Sequence, residues 1–112
     1  MTRKDLGPNP VGDTDQLTLG WARTIYPSYS NYAEADADYH ISLPDDPVEH
    51  QMEIYEIKAG DNRILVFSPG NVLACQGTSL NITLEPNKTG FLGYRWSDHA
   101  QSWFLLSTAI QN

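Results

Sequence analysis

Residues 80–96 read Leu-Asn-Ile-Thr-Leu-Glu-Pro-Asn-Lys-Thr-Gly-Phe-Leu-Gly-Tyr-Arg-Trp, and this stretch decides the fold class. Leu80, Ile82 and Leu84 alternate with polar residues, the two-residue period of a half-buried strand. Glu85-Pro86-Asn87-Lys88 then turns the chain, and an aromatic strand follows from Phe91 to Trp96. Downstream, a polar loop through Asp98 and His99 leads to a closing strand over Trp103 to Leu106.

Upstream the same alternation of strand and turn continues. A weak strand at Val72 to Ala74 precedes the Gln76-Gly77-Thr78 turn, and Ile64-Leu65-Val66-Phe67 is an apolar strand bounded by Ala59-Gly60-Asp61-Asn62 and Pro69-Gly70-Asn71. Residues 47–58 give conflicting signals. Asp46, Pro47 and Glu49 supply a helix cap, a first-turn proline and a capping-box acid, yet Ile54, Tyr55 and Ile57 mix both helix faces. The expectation is a helical turn near 45–50, then a strand from Met52 to Lys58 that makes a hairpin with residues 63–68. Tyr39, Ile41 and Leu43 alternate until Pro44, which has no N–H to give a ladder. Leu17, Leu19, Trp21 and Ile25 share one side of a further strand.

Strands at roughly ten-residue spacing with turns between them indicate an all-β protein, a small antiparallel sandwich or barrel-like domain over residues 17–112. Residues 1–16 carry Gly7, Pro8, Pro10, Gly12, Asp13 and Asp15 with almost no apolar content, and read as an extended N-terminal arm. Residues 26–38 hold Pro27, serines and an asparagine around tyrosines, and read as a loop. That tyrosine cluster suits either a recognition surface or a lid packed on the domain. The candidate partner-binding residues are therefore Arg3, Lys4 and Leu6 on the arm and Tyr26, Tyr29 and Tyr32 on the loop.

The 112 residues carry 14 Asp and Glu against 7 Lys and Arg, so no broad basic face is available to neutralise phosphates, and nucleic acid is not expected as a partner. The single Cys75 makes no internal disulfide, which fits synthesis in the cytoplasm. With no signal-type segment and no run near the roughly 20 apolar residues of a membrane span, no membrane association is expected. Two strands, Ile64–Phe67 and Trp103–Leu106, are apolar on both faces and must be covered on both sides. So short a chain has little left to supply that cover, and a closed homo-oligomer is expected to supply it.

The ordered segments Asp38-Tyr-His-Ile-Ser-Leu-Pro44, Ile54-Tyr-Glu-Ile-Lys58, Ile64-Leu-Val-Phe-Ser-Pro-Gly-Asn71, Leu80-Asn-Ile-Thr-Leu84, Phe91-Leu-Gly-Tyr-Arg95 and Ser102-Trp-Phe-Leu-Leu106 carry a resemblance. Together they resemble the recurrent β-domain of tailed-bacteriophage fibre, head-fibre and decoration proteins. The family's glycine ahead of the Tyr-x-Ile strand is missing, Met52 standing near its place. The resemblance implies a trimeric domain on the virion surface, binding its own copies and the major capsid protein or other virion subunits.

Chemistry-bearing groups are sparse. Cys75 with His40, His50 or His99 would be needed for a nucleophile pair, and a lone cysteine beside an apolar strand is more often an inert packed residue. The carboxylates between Glu34 and Asp61 read as a solvated acidic surface rather than a glycosidase pair. Asp36, Asp38 and His40 share one side of the chain and offer oxygen and nitrogen donors to a cation, but no glycine-containing calcium loop follows. Trp96, His99 and Trp103 flank one loop as sugar-binding aromatics do, although Trp103 runs on into an apolar strand as a core residue would. No enzyme activity, cofactor or metal is expected. The leading reading is a capsid decoration, or cement, protein; a neck, tail or fibre-attachment protein is the alternative within virions, and a carbohydrate-binding module the alternative from another class.

Overall fold

The computed structural model describes residues 4–5 and 26–112. In chain order the strands are β1 (Lys4–Asp5), β2 (Ser28–Ala35), β3 (Tyr39–His40), β4 (Met52–Ala59), β5 (Ile64–Phe67), β6 (Leu73–Ala74), β7 (Asn81–Leu84), β8 (Thr89–Ser97) and β9 (Ser102–Ile110). No helix occurs among the described residues, so the all-β reading holds. Six strands form a large sheet in the order β1-β2-β4-β8-β9-β6, and three form a small sheet in the order β3-β5-β7. The strand expected over residues 17–25 and most of the arm lie outside the described residues. Of the arm, Lys4–Asp5 pairs antiparallel with Tyr29 and Ser30 of β2.

One hydrophobic core lies where the inner faces meet. Tyr55, Ile57 and Ala59 of β4, Leu92 and Tyr94 of β8, and Trp103 and Leu105 of β9 are buried with Ile64 and Val66 of β5 and Ile82 and Leu84 of β7. The alternation in the sequence explains each contribution. In β4 every second residue from Glu53 is buried, and in β7 the buried residues are Ile82 and Leu84. Gly90 marks a close approach of the sheets, because a Cβ there would stand 2.7 Å from Leu84 Cδ2 and 2.8 Å from Ile82 Cδ1.

Three tight turns use one device. Residues Val48–Gln51, Cys75–Thr78 and Glu85–Lys88 are each closed by a backbone hydrogen bond from the fourth residue to the first. Their third residues, His50, Gly77 and Asn87, have φ of 60°, 89° and 63°. With Pro86 ahead of Asn87, the last has the sequence signature of a type II turn.

The structure corrects the sequence reading in four places. The sheets are mixed rather than antiparallel, since β2 pairs parallel with β4, β3 with β5 and β6 with β9. Parallel neighbours need a crossover, and here the chain crosses through the other sheet between them. Residues 28–35 are strand β2 rather than loop, with Asn31 buried and Ala33 and Ala35 packed on the core while Ser30, Tyr32 and Glu34 face away. Strands β4 and β5 are not a hairpin but belong to different sheets. Gly60 ends β4 by bonding from its N–H to the Ala35 carbonyl and accepting from the Asn87 N–H, which steers the chain off the large sheet. The helical turn near 45–50 is a bend followed by the Val48–Gln51 turn, where the left-handed His50 and the Val48 N–H bond to Gln51 Oε1 stop a helix from starting.

Filling the Gly90 gap should strain the joint between the sheets. Gly90→Val is expected to cost about 1–3 kcal/mol in urea unfolding, the usual cost of overpacking. Gly70→Ala, where a Cβ meets nothing within 4 Å, should leave the midpoint within about 0.5 kcal/mol of the parent.

Candidate partner-binding surface

Among the described residues the small sheet covers one face of the large one, and the other face carries apolar side chains among charged ones such as Glu56, Lys58 and Arg95. Residues opposite one another across paired strands share a face. The registers therefore place Met52, Arg95, Phe104 and Leu73 in one outward row, and Tyr32, Glu56, Phe91 and Ala109 in another. Tyr32 is 53 % exposed, Leu73 49 %, Phe91 41 % and Leu106 40 %. Between the rows, Gly93 leaves a shallow dip, with Ser107 Oγ lying 3.3 Å from where its Cβ would be. A hollow of about 250 Å³ opens where Arg95, Phe104 and Leu106 meet His50.

A bulge aims these side chains. The β8–β9 register shifts at Gly93/Tyr94, pairing Tyr94 with Leu105 and Gly93 with Ser107, so that Leu106 has no partner position of its own. Trp103 and Leu105 go into the core, and the extra residue Leu106 is left exposed. The apolar run Trp103–Leu106 thus divides between the two faces. The same holds for Ile64–Phe67, where Ile64 and Val66 are buried and Leu65 is 38 % exposed.

The tyrosines named from the sequence do not form one cluster. Tyr26 precedes β2 and meets the His50 ring edge-on at 4.5 Å, with the Arg95 guanidinium 5.8 Å from its ring centre. Tyr29 is half-buried beside Glu53 in the β2–β4 register, and Tyr32 lies on the opposite, outward face. The Tyr32 phenol is raised by partial desolvation and by the neighbouring Glu34 and Glu56 carboxylates. Lys4 pairs with Ser30, next to Tyr29, while Arg3 and Leu6 lie outside the described residues. The sequence missed Phe91, Leu73 and Leu106 as surface residues. Leu106 had a signal in the doubly apolar run Trp103–Leu106, which does not say which residues go to which face, whereas Phe91 and Leu73 lie in strands without such a run.

The remaining candidates are engaged elsewhere. Asp38 Oδ1 accepts from the Leu65 N–H at 2.9 Å, His40 stacks on Phe67 at 4.8 Å, and the Asp36 carbonyl accepts from Asn62 Nδ2. Among the described residues no three acidic, histidine or cysteine side chains converge as a metal-binding group. Cys75 is a turn residue whose N–H bonds to the Leu105 carbonyl and whose own carbonyl accepts from Thr78. Trp96 and Trp103 meet edge-on at 5.7 Å, and Trp96 Nε1 donates to Asp98 at 2.5 Å. They wall a cleft of about 370 Å³ with Leu43, Pro44 and Pro69, but Trp103 is buried and Trp96 packs on the core, which leaves little ring face for a sugar.

Polar groups inside the large sheet fix its register. Asn31 Nδ2 donates to Glu53 Oε1 at 3.2 Å and to the Ile54 carbonyl at 3.1 Å, while Gln51 Nε2 donates to Glu53 Oε2 at 2.8 Å. All three side chains are buried, so a slip of β2 along β4 would strand polar groups away from water.

Comparison with protein-family models, with curated proteins and with solved structures finds no match. The reading of this surface rests on its own chemistry.

Two expectations follow from the buried groups. Asn31→Ala removes both donors to Glu53 and Ile54 and should cost about 1–3 kcal/mol in denaturant unfolding. Burial pushes the Tyr94 phenol up to about 12, with its hydrogen bond to Ser68 pulling the other way. Because the folded value lies above the ordinary tyrosine value of 10.0, the contribution is whole below about pH 10 and is lost as pH rises toward 12. Tyr94→Phe should therefore flatten the stability profile above pH 10, measured by urea midpoints between pH 8 and 11.

Proposed function

We propose that this chain is a structural protein of a tailed-phage virion, a capsid decoration protein that bridges and stabilises capsid subunits and has no catalytic task. The observation that carries this reading is the outward apolar face of the large sheet. Phe91, Leu106, Leu73 and Tyr32 stay exposed after the small sheet has covered the other side. Burying apolar area returns about 25 cal/mol per Å², so a face of this kind favours contact with another subunit. The phage assignment itself comes from the order of the segments between Asp38 and Leu106, whose resemblance to virion β-domains also gives the proposed threefold association. A net charge of −7 keeps such a subunit soluble before assembly and disfavours binding to the packaged nucleic acid.

In this reading the arm, beyond the Lys4–Asp5 pairing with its own β2, reaches to a neighbouring subunit, since a second linked contact raises effective concentration without a larger single interface. Arg3, Lys4 and Leu6 are the proposed contact residues there, and Tyr32 joins the apolar face.

Sedimentation at micromolar concentration should show a trimer. Phe91→Glu should abolish the trimer with unchanged circular dichroism, and a monomeric parent protein would overturn the self-association. Deleting residues 1–16 should weaken binding to undecorated heads at least tenfold while leaving the oligomer intact. Equal occupancy by the truncated protein would remove the arm's role, and heads of normal thermal stability without the protein would move the assignment to the neck, tail or fibre attachment.

A further inference from the structure

The far edge of the large sheet is open among the described residues. Strand β9 pairs with β8 on both sides of the bulge at Leu106, and its other side meets β6, opposite Phe104 and Leu105, and the Cys75 N–H and Thr78 Oγ1, which bond to the Leu105 carbonyl. Beyond that point no strand among the described residues lies beside residues 106–110. The direction of their backbone groups follows from one bond. The Gln111 N–H donates to the Thr89 carbonyl at 2.8 Å, so Gln111 is turned toward β8. Antiparallel ladders alternate between residues that bond to a given neighbour and residues that do not. Ala109 and Ser107 are thus turned toward β8 as well, and the N–H and C=O groups of Thr108 and Ile110 point out of the sheet. The other side of β8 agrees, since the Trp96 N–H bonds to the Gln51 carbonyl of the β4 side.

Exposed edges are normally blunted by lysine, proline or a covering loop. Among the described residues this one has no such device past the bulge. No Asp, Glu, Lys, Arg or Pro occurs after Asp98, and Leu106 and Ile110 are 40 % and 48 % exposed.

We propose that residues 108–110 of β9 pair antiparallel with the same residues of a second copy, across a twofold axis at Ala109, so that the two large sheets become continuous. The occupant is a second copy because the edge complements itself. With the axis at Ala109, Thr108 of one copy exchanges both backbone bonds with Ile110 of the other, and the small Ala109 residues face each other. Copies of net charge −7 repel over most of their surfaces, and this charge-free edge is where they can approach without opposing like charges. The length also fits, because pairing past residue 106 would meet β6. This contact rests on the proposed role as a bridging subunit and adds a twofold link between the threefold assemblies proposed above, as a continuous cement layer requires.

The experiment uses the full chain with Cys75→Ser and Ala109→Cys. Directly opposed residues in a non-hydrogen-bonded antiparallel pair lie about 4.5 Å apart at Cα, within disulfide reach. Mild oxidation should give a covalent dimer as the main species on a non-reducing gel. Adding Thr108→Pro removes an N–H that the chain's own sheet does not use, and proline is tolerated at such an edge position. It should reduce the cross-link at least tenfold with unchanged circular dichroism. Absence of the dimer, as expected if an extended segment of another protein fills the edge, overturns the proposal, as does a cross-link that survives Thr108→Pro. With Phe91→Glu in the same background the trimer should be lost while the cross-link survives, which separates the edge contact from the face contact; a cross-link lost together with the trimer would overturn the edge contact.

Discussion

A three-stranded sheet can cover only one face of a six-stranded one, and the rest of this molecule follows from that constraint. Ile64, Val66, Ile82 and Leu84 from the small sheet meet Ile57, Leu92, Tyr94 and Leu105 from the large sheet, and the core is then complete. Gly90 lets β7 close on β8 at this joint. Among the described residues nothing similar stands over the other side of β4, β8 and β9, where apolar side chains remain exposed. In a soluble monomer such a face would be an aggregation hazard; in a subunit it is the part of the core that another chain completes.

The sequence was informative where burial follows a simple period. Leu80, Ile82 and Leu84 announce β7, the Tyr-x-Ile segment announces β4, and the turns at 76–78 and 85–88 carry the residues their backbone angles need. Strand β2 was illegible because its inward positions are Asn31, Ala33 and Ala35, too small or too polar to read as a core stripe. It is held by ladder bonds to β4 and by the buried amide and carboxylate of Asn31 and Glu53, partners 22 residues apart that no local pattern pairs. The mixed topology was hidden for the same reason. A strand's own period says which face is buried but not which sheet it joins, and the Gly60 bonds that send β5 away from β4 involve residues 35 and 87.

The surface was legible in kind and not in detail. Doubly apolar runs at 64–67 and 103–106 correctly announce apolar groups on both faces. The tyrosines drew attention because they are close in sequence, but strand alternation sends Tyr29 and Tyr32 to opposite faces, and Tyr26 is occupied by His50 and Arg95. The β9 bulge, which aims Leu106 outward, depends on how β8 and β9 align and leaves no mark in either strand alone.

The most direct test of the proposed role is a density map of the parent virion at a resolution that separates sheets. The account predicts this domain on the outer shell, with Phe91 and Leu106 buried against neighbouring subunits. A map placing the domain with that face toward solvent, or particles that lack the domain altogether, would contradict it.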